Sequence, residues 1–267
     1  GLYFMVYNLM NGYTDFSPVF SGVELFFILL LVPVLTMRII AEENRQKTDQ
    51  LLYTSPVSIT KIILGKYLAL ITLFGIAMLV VCLYPLILSG LVKQVATGTE
   101  AVDFAIAYGS ILGFFLLGAA YIAIGMFISS LTESQVIAAV ASGVIMIFTY
   151  LMTSLAGLLP SGHTFVFWFL AVLILVLSVG LYYWIHNGWL AGIIGVLAEA
   201  ALVILFLLKT ESFDGLIGNV LSQISITDRY QNFTYGIFDV SALVYYISVA
   251  FLFVFITIQR IKKKRFN

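Results

Sequence analysis

Long apolar runs, separated by short polar segments, set the pattern of this chain. The hydrocarbon core of a bilayer is about 30 Å thick and takes roughly 20 helical residues to cross. A helix satisfies its own backbone polar groups in lipid, and these runs lack the alternation of transmembrane strands. Seven runs therefore predict seven transmembrane helices: Gly22–Ile40, Ile62–Leu91, Phe104–Ile128, Val136–Leu159, Phe165–Ile185, Trp189–Leu208 and Val240–Ile258.

The predicted fold class is an all-α integral membrane protein, a polytopic helical bundle that forms one transmembrane domain over residues 1–267. Residues 1–12 are apolar and have no basic start, so we interpret them as the end of a truncated first span. This interpretation gives seven visible transmembrane helices and eight in the full chain. Pro33 and Pro85 lie inside predicted spans and are expected to bend them, because proline removes a backbone donor.

Composition narrows the class of protein further. The chain is 62% hydrophobic and 10% charged, whereas a soluble domain carries about 25% charged residues. The formal net charge is zero, so no nucleic-acid partner is indicated. Cys82 is the single cysteine, which excludes an intramolecular disulfide and every cysteine-cluster metal motif. No metal site is predicted.

Basic residues indicate the orientation, because cytoplasmic loops of membrane proteins are rich in lysine and arginine. If residues 38–61 are cytoplasmic, ten of the 13 basic residues lie inside and three lie outside, namely Lys93, Lys209 and Arg229. We therefore expect a cytoplasmic loop at 38–61, a second at 129–135 and a basic cytoplasmic tail at 259–267. Residues 209–239 would form an extracellular loop.

The segment Arg38–Lys61 holds seven of the 26 formal charges of the chain. Glu43 and Lys47 stand four residues apart, and Glu42 and Arg45 three apart, which are the spacings of paired side chains on a helix. The spacing predicts a helix that emerges from the membrane and runs to about Tyr53. Pro56 would end that helix, and the Ser58 hydroxyl would cap the next span.

Three stretches resemble one family. The run AEENRQKTDQLLYTSPVSITKIILGKYLA, from Ala41, is similar to the segment after the second span of type-2 ABC exporter permeases. Gly118–Val140 resembles the short cytoplasmic turn of that family between its fourth and fifth spans. Asp228–Gln259 resembles the segment that enters the last span in the gliding-motility-type branch. Residues 160–208 depart from the six-span pattern and are predicted to add a transmembrane hairpin.

The resemblance implies the permease subunit of an ABC transporter, an exporter, in a bacterial-type cytoplasmic membrane. Its partners would be a separate ABC ATPase, a second permease in a homo- or heterodimer, and the lipid bilayer. ATP would be bound by the ATPase partner, so this chain itself would hold no cofactor. The ATPase-coupling residues implied are Glu42, Glu43, Arg45, Lys47, Leu51 and Leu52 on the first inner loop, and Glu133 and Gln135 on the second.

The sequence lacks its own nucleotide-binding motif. The nearest candidate, Thr60–Tyr67, lacks the first glycine and the final hydroxyl residue of a P-loop. The chain is therefore predicted not to be an enzyme but a transport subunit. Two other classes stay open: an ion-coupled secondary transporter, which would carry charged groups near the midplane, and a non-transporting scaffold or immunity-type partner.

One acid lies in the middle of a predicted span. Glu199 shares a helix face with Gly188, Gly192 and Gly195, so we expect it in a close-packed seam. There it would be protonated or hydrogen-bonded to a hydroxyl such as Ser178, in a structural role, or it would serve substrate or proton movement. Glu24, nearer an end of its span, is expected to be more easily hydrated.

Overall fold

The computed structural model describes residues 1–11, 13–48, 57–95, 102–185 and 188–266, and all regular structure in these ranges is helical. Six of the described helices are long and apolar enough to cross a membrane. The α-helices are α1 Leu2–Phe4, α2 Ser17–Phe26, α3 Val32–Thr36, α4 Ala41–Gln46, α5 Ile59–Val81, α6 Tyr84–Val95, α7 Phe104–Leu131, α8 Gln135–Leu158, α9 His163–Ile185, α10 Gly188–Leu208, α11 Leu216–Ile224, α12 Gln231–Thr234 and α13 Val240–Phe266. π-Helical turns span Met5–Met10 and Phe27–Leu31, and 3-10 turns span Thr210–Phe213 and Asp228–Tyr230.

The predicted all-α class is confirmed, and every predicted span lies largely in helix, with turns at 37–40 and 82–83. The seventh prediction, Trp189–Leu208, falls within α10, which has 21 residues. In α10 the stretch Gly192–Leu208 forms a shorter apolar helix than the six long ones. Residues 259–266 of the predicted basic tail are helical, since α13 continues to Phe266.

Both span-interior prolines coincide with irregular backbone. Pro85 follows a break between α5 and α6 at Cys82–Leu83, where its missing N–H leaves the Val81 carbonyl without a helical partner. The Cys82 amide still donates to Met78 at 2.9 Å and the Ile87 amide to Leu83 at 3.0 Å, so the two helices continue on either side. Pro33 follows the π-helical turn Phe27–Leu31. The predicted disturbances are therefore present.

The described residues form two compact units, Gly1–Tyr150 with Ile226–Asn267, and Leu151–Ser225. The first unit is built around α7. In the most apolar part of α7, 72% of the residues are buried, against at most 39% in any other described span. Helices α3, α5, α12 and α13 all pack against it. Because α7 contacts protein rather than lipid over most of its surface, it forms the core of this unit.

Glycines on α7 receive large side chains from its neighbours. A Cβ at Gly118 would lie 2.3 Å from the Phe74 ring of α5, and one at Gly125 would lie 2.3 Å from Thr36 Oγ1 of α3. Gly113, part of the Gly109–Gly113 pair, faces the ring of Phe233 in the same way at 2.6 Å. A Cβ at Gly109 would lie 3.3 Å from the Phe233 backbone carbonyl, so both glycines allow the close approach of α12.

The segment before α13 folds back onto α7 within the first unit. Tyr230 and Phe233 are buried in its core, and Gly236 has a φ of 73°, which allows a sharp turn. Asp239 then caps α13 by accepting hydrogen bonds from the Ser241 amide at 2.8 Å and the Ala242 amide at 3.3 Å. A hydrogen bond from the Asn232 side chain, together with these amides, holds the pKa of Asp239 below its ordinary value.

The second unit is a helix pair with its own small core. Helices α9 and α10 pack together, and Val166, Leu202, Phe213 and Ile217 are buried between them and the residues that follow. The Gly215 amide donates to the Ser161 carbonyl at 2.9 Å, and His163 Nδ1 lies 3.2 Å from Asp214 Oδ1. These two helices occupy the positions of the hairpin predicted at 160–208, and its crossing of the membrane stays a prediction.

The packing of α7 predicts that Gly125→Ala destabilises the first unit. The new methyl group would meet Thr36 Oγ1 and, at 2.9 Å, both Thr36 Cβ and Cγ2, none of which is the end of a flexible side chain. We expect a loss of about 1–3 kcal/mol, the usual cost of overpacking, seen as a lower melting temperature of the purified protein. Gly65→Ala is the control, because open space surrounds Gly65. Equal melting temperatures would show that α3 and α7 are not in close contact.

Candidate functional site

Ser129, near the end of α7, binds both the end of the first long span and the start of α4. Its Oγ accepts hydrogen bonds from the Ile40 amide at 3.3 Å and the Ala41 amide at 3.1 Å. The same hydroxyl lies 3.1 Å from the Met37 carbonyl, to which it donates. Ser129 is fully buried. The Ser129 hydroxyl thus joins residues 37–41 to the end of α7.

Asn44 extends this connection to two further segments. It is buried on α4, and its Nδ2 donates to the Thr132 carbonyl, just after α7, at 3.5 Å. Lys264 Nζ, in the last turns of α13, donates to Asn44 Oδ1 at 3.1 Å. The short helix α4 is therefore held by the turn after α7 and by the basic tail.

Glu43 is paired with Lys66 of α5. The Lys66 ammonium donates to Glu43 Oε2 and also, at 3.0 Å, to the Ile39 carbonyl. The predicted Glu43–Lys47 pair is wrong. Lys47 has φ 56° and ψ 21°, a left-handed conformation that ends α4 and removes its side chain from the helical register.

The remaining predictions for the first inner loop have mixed outcomes. The Glu42–Arg45 pair is confirmed at 3.6 Å, and Gln46 also donates to Glu42. Helix α4 ends at Gln46, and residues 49–53 of the helix predicted to reach Tyr53 lie outside the described residues. Leu51 and Leu52 lie outside the described residues. Ser58 does precede α5, but its side chain makes no capping hydrogen bond.

The second inner loop is a three-residue turn between α7 and α8. The Ser134 amide donates to Thr132 Oγ1 at 3.1 Å, which closes the turn. Glu133 is exposed in it, and Gln135 is the half-buried first residue of α8. Asn44 brings α4 to this turn through Thr132 and not through either predicted residue.

These contacts form what we call the inner joint: Met37, Ile39, Ile40, Ala41, Glu43, Asn44, Lys66, Ser129, Thr132 and Lys264. Sequence reasoning identified Glu43 as a site residue but missed Asn44, Lys66, Ser129 and Lys264. Helical spacing could not reveal them, because each bond joins residues 23 or more positions apart.

Glu199 lies half-buried on α10 in the second unit, and of the alternatives considered for it the hydrogen bond to Ser178 is not formed. Ser178 Oγ donates to the Ile174 carbonyl at 2.8 Å, and Glu199 Oε1 is buried without a hydrogen bond among the described residues. The predicted seam is present at Gly195, where a Cβ would lie 2.6 Å from Ser178 Oγ, whereas Gly192 faces open space.

Comparison with known proteins gives one informative match. Residues 9–260 match the family model described as ABC-2 family transporter protein. No curated protein and no solved structure matches the chain. The match covers most of the chain and agrees with its helices of membrane-spanning length. The chain therefore belongs to the ABC-2 family of transporter proteins and is a multi-pass permease subunit of an ABC transporter.

Proposed function

We propose that this permease forms the substrate path of an ABC exporter and is driven through its inner joint by a separate ATPase. It would act with a second permease, identical or different, in a bacterial-type cytoplasmic membrane with its C-terminus inside. ATP would be bound and hydrolysed by the ATPase partner. The direction of transport rests on the resemblance of the three sequence stretches to exporter permeases.

The observation that carries this proposal is the convergence of four inner segments on α4. Residues 37–41 continue from the first span, and Lys66 belongs to α5. Ser129 lies at the end of α7 with Thr132 just after it, and Lys264 belongs to α13. A force applied to α4 would therefore reach several spans at once. A loop that only connected two spans would not need this set of buried polar contacts.

The side chains at α4 that point away from the inner joint are polar or charged, which suits contact with another protein. Asn44 and Ala41 face the joint, whereas Arg45, Gln46 and Lys47 are exposed. Glu42 and Arg45 would supply polar contacts, as would Glu133 and Gln135 on the second loop. Leu51 and Leu52 would fill an apolar groove of the ATPase. ATP-driven closure of the ATPase would push α4, and the joined spans would change their packing as rigid elements.

Ser129→Ala should separate ATP hydrolysis from transport. The substitution leaves two amides and one carbonyl without their partner, so α4 loses its anchor on α7. In proteoliposomes with the copurified ATPase, we expect transport per ATP hydrolysed to fall at least about fivefold, the lower end of typical coupling energies. Ser130→Ala is the matched control, because within the described part of the chain the Ser130 hydroxyl bonds only to the Phe127 carbonyl of its own helix.

The same experiment separates the alternatives. If no ATPase copurifies and transport continues without ATP, the secondary-transporter alternative replaces the proposal. If there is neither an ATPase nor transport, the scaffold alternative does.

Exchanging the charges of Glu43 and Lys66 should preserve most of the transport activity. Glu43→Lys alone places two cations together, and Lys66→Glu alone places two anions together, so each should lower coupled transport by loosening α4 from α5. The double variant Glu43→Lys with Lys66→Glu restores opposite charges and should recover most of the activity. Lys61→Glu, at an exposed position, controls for net charge. A double variant that is worse than both singles would remove this pair from the coupling path.

Cysteine labelling should show that α4 faces the cytoplasm. In a Cys82→Ser background, a membrane-impermeant maleimide added to intact cells should leave Lys47→Cys unlabelled and should label Tyr235→Cys. Both positions are exposed, so accessibility within the protein does not differ. Permeabilised cells should label both. Labelling of Lys47→Cys from outside would place α4 where no cytoplasmic ATPase could reach it, and the proposal would fail.

A further inference from the structure

Glu24 is a buried acid that the coupling mechanism leaves without a role. It lies on α2 one turn after Phe20, and Ile28 follows in the π-helical turn; all three side chains are buried in the first unit. Glu24 is only 8% exposed, so the expectation that it would be easily hydrated is wrong. The first long span begins at Ser17, and the inward packing of this face takes the carboxyl away from water.

Its carboxyl group has no cation to neutralise it among the described residues. None of the described ion pairs includes Glu24, and its Oε1 is buried without a hydrogen bond. An unpaired carboxylate inside a membrane span costs about 2.5–3.5 kcal/mol even by the lowest scales. A carboxylic acid that keeps its proton avoids most of that cost.

Three buried phenols of the same core come from other elements of the first unit. Helix α1 also packs against α2, with the Tyr3 ring against Gly22. Tyr121 belongs to α7, Tyr230 to the 3-10 turn and Tyr246 to α13, and the carboxyl interacts electrostatically with all three. Burial raises the pKa of the Tyr230 phenol well above its ordinary value. Arg229, which interacts electrostatically with Tyr246, lies over the ring of Tyr245 at 4.3 Å.

The hydroxyl groups of these three tyrosines differ in their hydrogen-bond partners. Tyr121 bonds to Thr149 Oγ1 at 3.1 Å, and Tyr246 donates to the Ile226 carbonyl at 2.8 Å. The Tyr230 hydroxyl is buried and makes no hydrogen bond within the described residues. An unpaired carboxyl oxygen and an unpaired hydroxyl thus share one apolar core. Buried polar groups of this kind call for an explanation, and a bound proton or water is the usual one.

We propose that Glu24 is a proton-binding site of the permease. In the conformation described here, the carboxyl holds a proton on one oxygen and is neutral. When the segment around Tyr230 separates from α2, water reaches the group, the proton passes to that water and a carboxylate remains. Closure of the segment returns a proton from the outer solution to the same oxygen. Assigning this opening to the transport cycle rests on the proposed function, but the proton site itself does not.

Infrared spectroscopy of the purified full chain in lipid nanodiscs tests the site directly. At neutral pH we expect a protonated-carboxyl band in the wild type that Glu24→Gln removes. Tyr230→Phe should shift that band, whereas Tyr235→Phe, at an exposed position, should leave it unchanged. Spectra of wild type and Glu24→Gln that are identical in the carboxyl region would overturn the proposal. So would a band lost at constant pH when sodium chloride replaces choline chloride, since the ligand would then be sodium.

The pH dependence of transport tests the role of the proton. With the ATPase present, the wild-type rate should change with external pH, and Glu24→Gln should lose most of that change. Glu24→Asp keeps a carboxyl and should keep the dependence at a displaced midpoint, which also shows that the site tolerates substitution. An unchanged profile in Glu24→Gln would make Glu24 a structural neutral acid and end the proposal. If the ATPase fails to drive transport at all, the proposed function fails while the infrared result still stands.

Discussion

Polar groups inside a bilayer must find partners within the protein, because hydrocarbon offers none. This constraint explains why α7, the most buried helix, carries the polar contacts that connect its neighbours. The Ser129 hydroxyl alone serves two amides and one carbonyl of the chain that leaves the first span. Tyr67 of α5 likewise donates to the Ala119 carbonyl of α7 at 3.1 Å. Such bonds persist because no solvent competes for them.

The inner joint and the Glu24 site are two responses to the same constraint. At the joint, charged and polar groups satisfy each other, and the result is a mechanically connected set of helix ends. At Glu24, no described cation pairs with the carboxyl, and the proposed proton would neutralise it instead. The first arrangement suits the transmission of force, and the second suits a response to the outer solution. Both lie in the unit built around α7.

The sequence was sufficient to predict the helices but not which helices pack against each other. The length of the continuous apolar runs was enough to predict the all-α membrane class. Pro85 predicted the break between α5 and α6, because its missing N–H affects only the neighbouring turn. The Glu42–Arg45 pair was also predictable from helical spacing. Glu43 was assigned to Lys47 by the same rule, yet it pairs with Lys66, because Lys47 leaves the helix and a closer ammonium comes from α5. The burial of Glu24 likewise depends on which face α2 turns towards α7, and span hydropathy does not carry that information.

Helix α4 ends early, at Gln46, and its short length makes its folding depend on the rest of the protein. A helix of six residues is far below the length at which isolated helices persist in water, since nucleation is unfavourable. Its order must therefore come from the spans to which it is attached. A change in how those spans pack would therefore decide whether this turn is folded. Coupling through these contacts would act in both directions, from the spans to α4 as well as from α4 to the spans.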